Sequence, residues 1–95
     1  MRVLVAKIVL AIPYSTSLKD KRAVVRGVKD RIWSKFRASI AEIDEQGSLR
    51  RAVLGLAFVS NDKQLLDSLM NKIIDLIENC FPGLLEDFQH DVEIY

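Results

Sequence analysis

Five cations recur along one stretch of this 95-residue chain: Lys19, Arg22, Arg26, Lys29 and Arg37. Their separations of three, four, three and eight are helical spacings. On a wheel of 100° per residue they fall between about 40° and 120° from Val25, with Trp33 among them. Such a ridge can meet a row of phosphates, and contacts of that kind hold a nucleic acid without reading its sequence. Trp33 adds a surface on which a base can stack. The stretch from Ser17 to Arg37 carries eight of the fourteen Lys and Arg residues, Lys21 included, against only Asp20 and Asp30. An ordinary solvated basic face would read the same way.

A second candidate adjoins the first. Ser17 has the type and place of a helix N-cap, and Asp20 stands three residues on, close to a capping box. Lys19, Lys21 and Arg22 then crowd the first two turns, where the helix dipole disfavours positive charge. An anion would reconcile them. Ser15, Thr16, Ser17 and Lys19, with the free amides of the first turn, form a candidate phosphate or sulfate site.

Other chemistries find little to build on. His90 is the only histidine and occupies an apolar-parity position in a strand pattern, which favours a structural role. Cys80 is the only cysteine, so no internal disulfide can form, and its place ending an apolar stripe suggests a buried small hydrophobe. Glu42 and Asp44 share a face of a predicted strand, where solvation or pairing with Arg explains them. There is no Cys/His cluster for zinc and no P-loop pattern. No nucleophile–base constellation can be named. We expect no catalysis, no metal and no cofactor.

Composition sets the frame. With 49% hydrophobic and 28% charged residues the chain is globular, and its length suits one domain over residues 1–95. About two-thirds of the unfolded surface can be buried, enough for a core without staples. No apolar run reaches the length of a membrane span. The opening MRVLVAKIVLAIP has a signal peptide's look, but it lacks a small-residue cleavage site and Lys7 interrupts it, so a strand is expected. The absence of disulfides and spans suggests the cytoplasm. A net charge of +1 conceals an asymmetry: residues 1–37 hold ten basic and two acidic groups, residues 38–95 four and eleven. The partner is therefore argued from the first helix and not from the overall charge.

The elements that must position the ridge follow from periodicity. Residues 2–12 read as a strand, apolar on both faces. Val24, Val25, Val28, Ile32 and Phe36 give the first helix its core stripe. Residues 38–44 read as a second strand and 50–60 as a third, central one. A second helix, capped by Asn61, runs to about Asn79 on a stripe of Leu66, Leu69, Met70, Ile73, Ile74 and Ile77. Residues 86–94 form the last strand, with Phe88, His90, Val92 and Ile94 alternating against Asp87, Gln89, Asp91 and Glu93. This βαββαβ order predicts an α+β ferredoxin-like sandwich: a four-stranded antiparallel sheet, strands one and three central, both helices on one face.

That topology is shared by RNA-recognition motifs, whose RNP1 strand can be compared with residues 54–61. Leu56 and Asn61 stand where aromatics belong, so base stacking on the sheet is not expected. Acylphosphatases share it too, but their anion loop contains Gly; the loop here, IPYSTSLKDKR, has none, and Asn61 is no clear match for their catalytic Asn. Gly55 and Ala57 are expected to let a helix approach closely. If Leu54, Leu56 and Phe58 lie beside Val3, Val5 and Val9 on the uncovered face, that patch is large for a monomer, and a homodimer through it is expected.

The segments Ser17-Leu18-Lys19-Asp20-Lys21-Arg22, Ser39-Ile40-Ala41-Glu42-Ile43, Arg51-Ala52-Val53-Leu54-Gly55 and Val59-Ser60-Asn61-Asp62 resemble the YlxP-like family of small bacterial proteins of unknown function. The resemblance runs to the closing Val92-Glu93-Ile94. The family's usual SLKEKR is SLKDKR here. Where the family often has an Asp and a Trp-Gln pair before the third strand, this chain has Gly47 and Leu49-Arg50, which leaves Trp33 as its only tryptophan. The resemblance implies a ferredoxin-like fold and, because members are often encoded beside translation and ribosome-maturation genes, work near RNA or the ribosome. It supplies no catalytic residue. The expectation is a non-enzymatic protein that binds RNA phosphates through Lys19, Lys21, Arg22, Arg26, Lys29 and Arg37, with Trp33 stacking. The alternative is a protein-interaction or anion-regulated dimeric module without nucleic acid.

Overall fold

The computed structural model describes residues 1–95. Six elements follow in the expected order: β1 (Arg2–Ala11), α1 (Leu18–Phe36), β2 (Ser39–Asp44), β3 (Arg51–Ser60), α2 (Lys63–Cys80) and β4 (Leu85–Ile94). The strands form one sheet, β2-β3-β1-β4, with every neighbouring pair antiparallel. This is the ferredoxin-like arrangement, with β1 and β3 central. No helix is long and apolar enough to cross a membrane.

The core lies between the sheet and the helices. Leu4, Ala6, Ile8 and Leu10 of β1 join Ala52, Leu54 and Leu56 of β3 beneath Val25, Val28 and Ile32 of α1 and Leu66, Leu69, Met70, Ile73 and Ile77 of α2. Each fully buried Leu or Ile side chain stabilises by about 1.5–3 kcal/mol. The register sets the parity of β3, which the sequence leaves open. Leu54 pairs with Ile8, Leu56 with Ala6 and Phe58 with Leu4, so all three face the helices. The open face carries Val3, Val5, Lys7 and Val9 beside Val53, Gly55, Ala57 and Val59. Both faces of β1 and β3 are apolar, so period-two alternation alone could not choose between the two pairings.

Gly55 is correspondingly not a seat for a helix. A Cβ built there would lie 2.9 Å from Ile43 Cγ2 on the open face. Ile43 reaches that position because the β2–β3 register shifts between Glu42 and Asp44. The same shift separates the carboxylates expected to share a face: Glu42 pairs with Leu54 on the helix side, Asp44 with Val53 on the other. The α2 cap is Asp62, not Asn61; its Oδ1 accepts from the Leu65 amide at 3.2 Å. Cys80 is exposed, contrary to expectation, with Arg31 Nη1 donating to its Sγ at 3.6 Å.

The free edge of β4 is blunted. Met1 and Tyr95 exchange both backbone hydrogen bonds, which turns the amides of odd-numbered residues toward β1 and those of Phe88, His90 and Val92 outward. Asp87 Oδ1 accepts from the Phe88 amide at 2.8 Å and Asp91 Oδ1 from the Val92 amide at 2.9 Å. Two outward donors are thereby taken, each by a charge. His90 is exposed and stacks on Phe88 at 6.2 Å.

Candidate nucleic-acid interface

The start of α1 decides which of its polar groups are free. Ser17 caps the helix, its hydroxyl accepting from the Asp20 amide at 3.0 Å. Asp20 reaches one residue further back than a capping box does. Its Oδ2 accepts from both the amide and the hydroxyl of Thr16, each at 3.0 Å. The two Thr16 bonds, the backbone one foremost, hold the Asp20 carboxyl below its ordinary value of 3.8. Ser15 is buried; its hydroxyl donates to the Ser17 carbonyl at 3.1 Å and its carbonyl accepts from Arg50 Nε at 3.0 Å.

These bonds engage the hydroxyls expected to hold an anion. Ser15, Thr16 and Ser17 do not converge on an open cradle: the chain's own Asp20 carboxylate takes the Thr16 donors. Lys19 alone of that set is exposed and without a partner. The negative charge that the dipole and the neighbouring cations call for is built into the sequence.

Lys21 is also set apart from the ridge. Its side chain is 1% exposed; Nζ lies 3.0 Å from Glu42 Oε2 and donates to the Glu45 carbonyl. Glu42 Oε2 has no other partner. Glu45 adopts a left-handed conformation, φ 61°, and its carbonyl also accepts from the Ser48 amide. Lys21 thus fastens the β2–β3 turn to α1 and has no charge to offer a ligand.

The remaining cations do form one surface. Lys19, Arg22, Arg26 and Arg37 are exposed and Lys29 is half-buried, all on the flank of α1 beside the β2 edge. The chain's two side-chain ion pairs are Lys21–Glu42 and Arg51–Glu86, so none of the five is neutralised by a carboxylate. Arg31 and Lys35 lie on the other flank, over Phe81 and Phe36. Trp33 is half exposed, and the Arg37 guanidinium sits 5.2 Å from its ring centre. Arg37 can reach back because it ends the helix in a left-handed conformation, φ 58°, its amide bonded to the Trp33 carbonyl.

Sequence reasoning missed what lies below Trp33. A groove of about 310 Å³ runs between α1 and the edge of β2, lined by Lys29, Asp30, Trp33, Ala38, Ser39 and Ile40. Its floor comes from the connection between helix and strand, which no periodicity describes.

Comparison with known proteins places this surface in context. Residues 3–89 match the family model described as "Protein of unknown function (DUF503)". The Uncharacterized protein YlxP of Bacillus subtilis is 35% identical over 68 residues, which cover 72% of this chain and 73% of that one. Among solved structures, a dabb family protein with a ferredoxin-like fold from Mesorhizobium loti superposes with a TM-score of 0.54 at 14% identity, covering 100% of this chain and 98% of that one. Ribosomal protein S6 of Thermotoga maritima gives a TM-score of 0.52 at 10% identity, covering 98% and 89%. Identities this low establish the fold alone. The family match spans most of the chain and agrees with the resemblance carried by SLKDKR and its companion segments: the protein belongs to the YlxP-like family, the DUF503 proteins of unknown function.

Proposed function

We propose that this protein acts by binding and not by catalysis, and that its ligand is RNA, held by phosphate contacts along the outer flank of α1. One observation carries the reading. Lys19, Arg22, Arg26, Lys29 and Arg37 share a flank and none has a carboxylate partner. Lys21, the one buried cation, is paired with a carboxylate; none of these five is paired and none is fully buried. The fold is also that of a ribosomal protein, which makes the reading compatible with work at the ribosome without naming a role there.

The test is binding of the purified protein to labelled ribosomal RNA across a salt series. Five contacts to a single strand give a slope of about −3.5 in log affinity against log salt. The Arg22→Glu, Arg26→Glu double variant should keep its fold, because both side chains are exposed, and lose binding. Absence of binding by the wild type at low salt would sink the proposal, and an acidic protein partner would then be sought for the same flank.

The open sheet face supports a second proposal, that two copies pair through it. Val3, Val5, Ala57 and Val59 make one end of it apolar, Lys7 interrupts it, Val9 and Val53 are already buried within the chain, and Asp87, Asp91 and Glu93 line its β4 side. Four strands about 4.8 Å apart and up to ten residues long give about 600 Å² per copy. That is the small end of specific interfaces, so a weak, concentration-dependent dimer is expected. A two-fold axis along the strands, between β1 and β3, would set each acidic β4 over the other copy's β2. Pairing through like edges would instead oppose acid to acid at β4. Sedimentation equilibrium on wild type and Val5→Asp tests it: a monomer at every concentration for the wild type removes the dimer.

A further inference from the structure

The groove beside Trp33 offers more than charge. Arg50 O accepts from the Ile12 amide, so even-numbered residues of β3 turn toward β1 and odd-numbered ones toward β2. Ala57 and Gly55 therefore bond to Ser39 and Ala41, their partners in the register. Ile40, between them, points its N–H and C=O away from the sheet, at the free edge of β2. No backbone or side-chain bond is made to either group outside the sheet ladder. A donor and an acceptor in fixed relation thus border a groove that Trp33 lines. At about 310 Å³ the groove falls at the lower end of small-ligand sites. Lys29 stands in it, with Arg26 and Arg37 on the same flank. Asp30 is its one carboxylate, which disfavours a phosphate inside the groove but not a base.

We propose that the groove between α1 and the free edge of β2 takes one unstacked base of single-stranded RNA, stacked on Trp33 and hydrogen-bonded to the outward N–H and C=O of Ile40. This deepens the RNA reading and rests on it. It names the class of RNA, because a base inside a duplex must first unpair and unstack to enter, a cost a single strand does not bear. The phosphates on either side of the base run along Arg26, Lys29 and Arg37. Stacking tolerates any base, whereas one N–H beside one C=O matches a base edge that offers an acceptor next to a donor.

Trp33 is the only tryptophan, so its emission reports on this groove alone. Four probes are compared: a short single-stranded oligoribonucleotide, the same strand annealed to its complement, inorganic polyphosphate and poly-glutamate. Binding is followed by anisotropy or competition, and Trp33 emission is recorded throughout. The single strand should quench Trp33; duplex and polyphosphate should bind without doing so. Trp33→Ala should weaken the single strand about tenfold or more and leave polyphosphate unchanged. Ile40→Pro removes an amide that no ladder bond uses, and should weaken the single strand several-fold with the fold intact by circular dichroism. Single-stranded RNA that binds without quenching overturns the base subsite and leaves the phosphate ridge standing. No RNA binding at all overturns both. Quenching by poly-glutamate but not by RNA makes the groove a peptide site and overturns the proposal. Equal losses for duplex and single strand in Trp33→Ala also overturn it, since they would reflect only the displaced Arg37.

Discussion

Replacing Lys21 by methionine leaves the Glu42 carboxylate without its only partner. Glu42 is 19% exposed, which relieves part of the penalty, so a loss of about 2–4 kcal/mol is expected in urea unfolding. Adding Glu42→Leu should recover much of it, because replacing both members of a buried pair is often neutral. If Lys21→Met is as stable as wild type, the pin does not hold the turn. Lys21 was legible by position: it stands four residues before Val25 and seven before Val28, within the apolar stripe. Its type, in a run of cations, argued the other way, and a buried lysine becomes visible only once Glu42 and the Glu45 carbonyl are brought to it. Asp20 gives a prediction in pH. Its folded value is lowered, so the stability it adds is full above the ordinary 3.8 and disappears as pH falls through the lower folded value. Asp20→Asn should therefore melt below wild type at neutral pH, and the gap should close as pH falls through the lowered folded value. A gap that persists below that value would mean the charge is not what Thr16 holds. Cys80, exposed at the end of α2, should react with a thiol reagent in the native protein as fast as in urea.

Helix α1 separates two kinds of work by flank, and that division can be tested apart from any ligand. Charge reversal at Arg22 and Arg26 should change stability by no more than about 0.5 kcal/mol, whereas Ser17→Ala should cost about 1 kcal/mol through the lost cap. Element types and order were readable because helical and strand periods are written in the apolar residues. The ridge was readable for the same reason. Pairing was not. Strands β1 and β3 are apolar on both faces, and the register shifts after Glu42 and Val9 depend on how neighbouring turns close. Gly55 records one of these shifts. Gly55→Ala should destabilise by about 1–3 kcal/mol because the new methyl group meets Ile43, and Ile43→Ala in the same chain should return part of the loss. Equal stability of Gly55→Ala and wild type would show that Ile43 yields freely.

Across the whole molecule the charge asymmetry of the sequence becomes a direction in space. The basic flank lies beside β2, the acidic side chains line β4, and these strands are the two opposite edges of the sheet. A polyanion is therefore attracted to one edge and repelled from the other, and its association rate should fall as salt rises. The charge asymmetry along the chain and the strand order were each legible in the sequence, and only the two together map the asymmetry to opposite edges. That order has one more consequence. Strand β1 leaves the ribosome before its partners, yet it lies between β3 and β4: Leu4 pairs with Phe58 on one side and Val92 on the other. This apolar central strand must wait, unpaired, for most of the chain to be synthesised. Contacts so distant in sequence slow folding. A protein with this topology should gather speed only once β3 has emerged, and its nascent chain should be a substrate for whatever shields apolar segments at the exit tunnel.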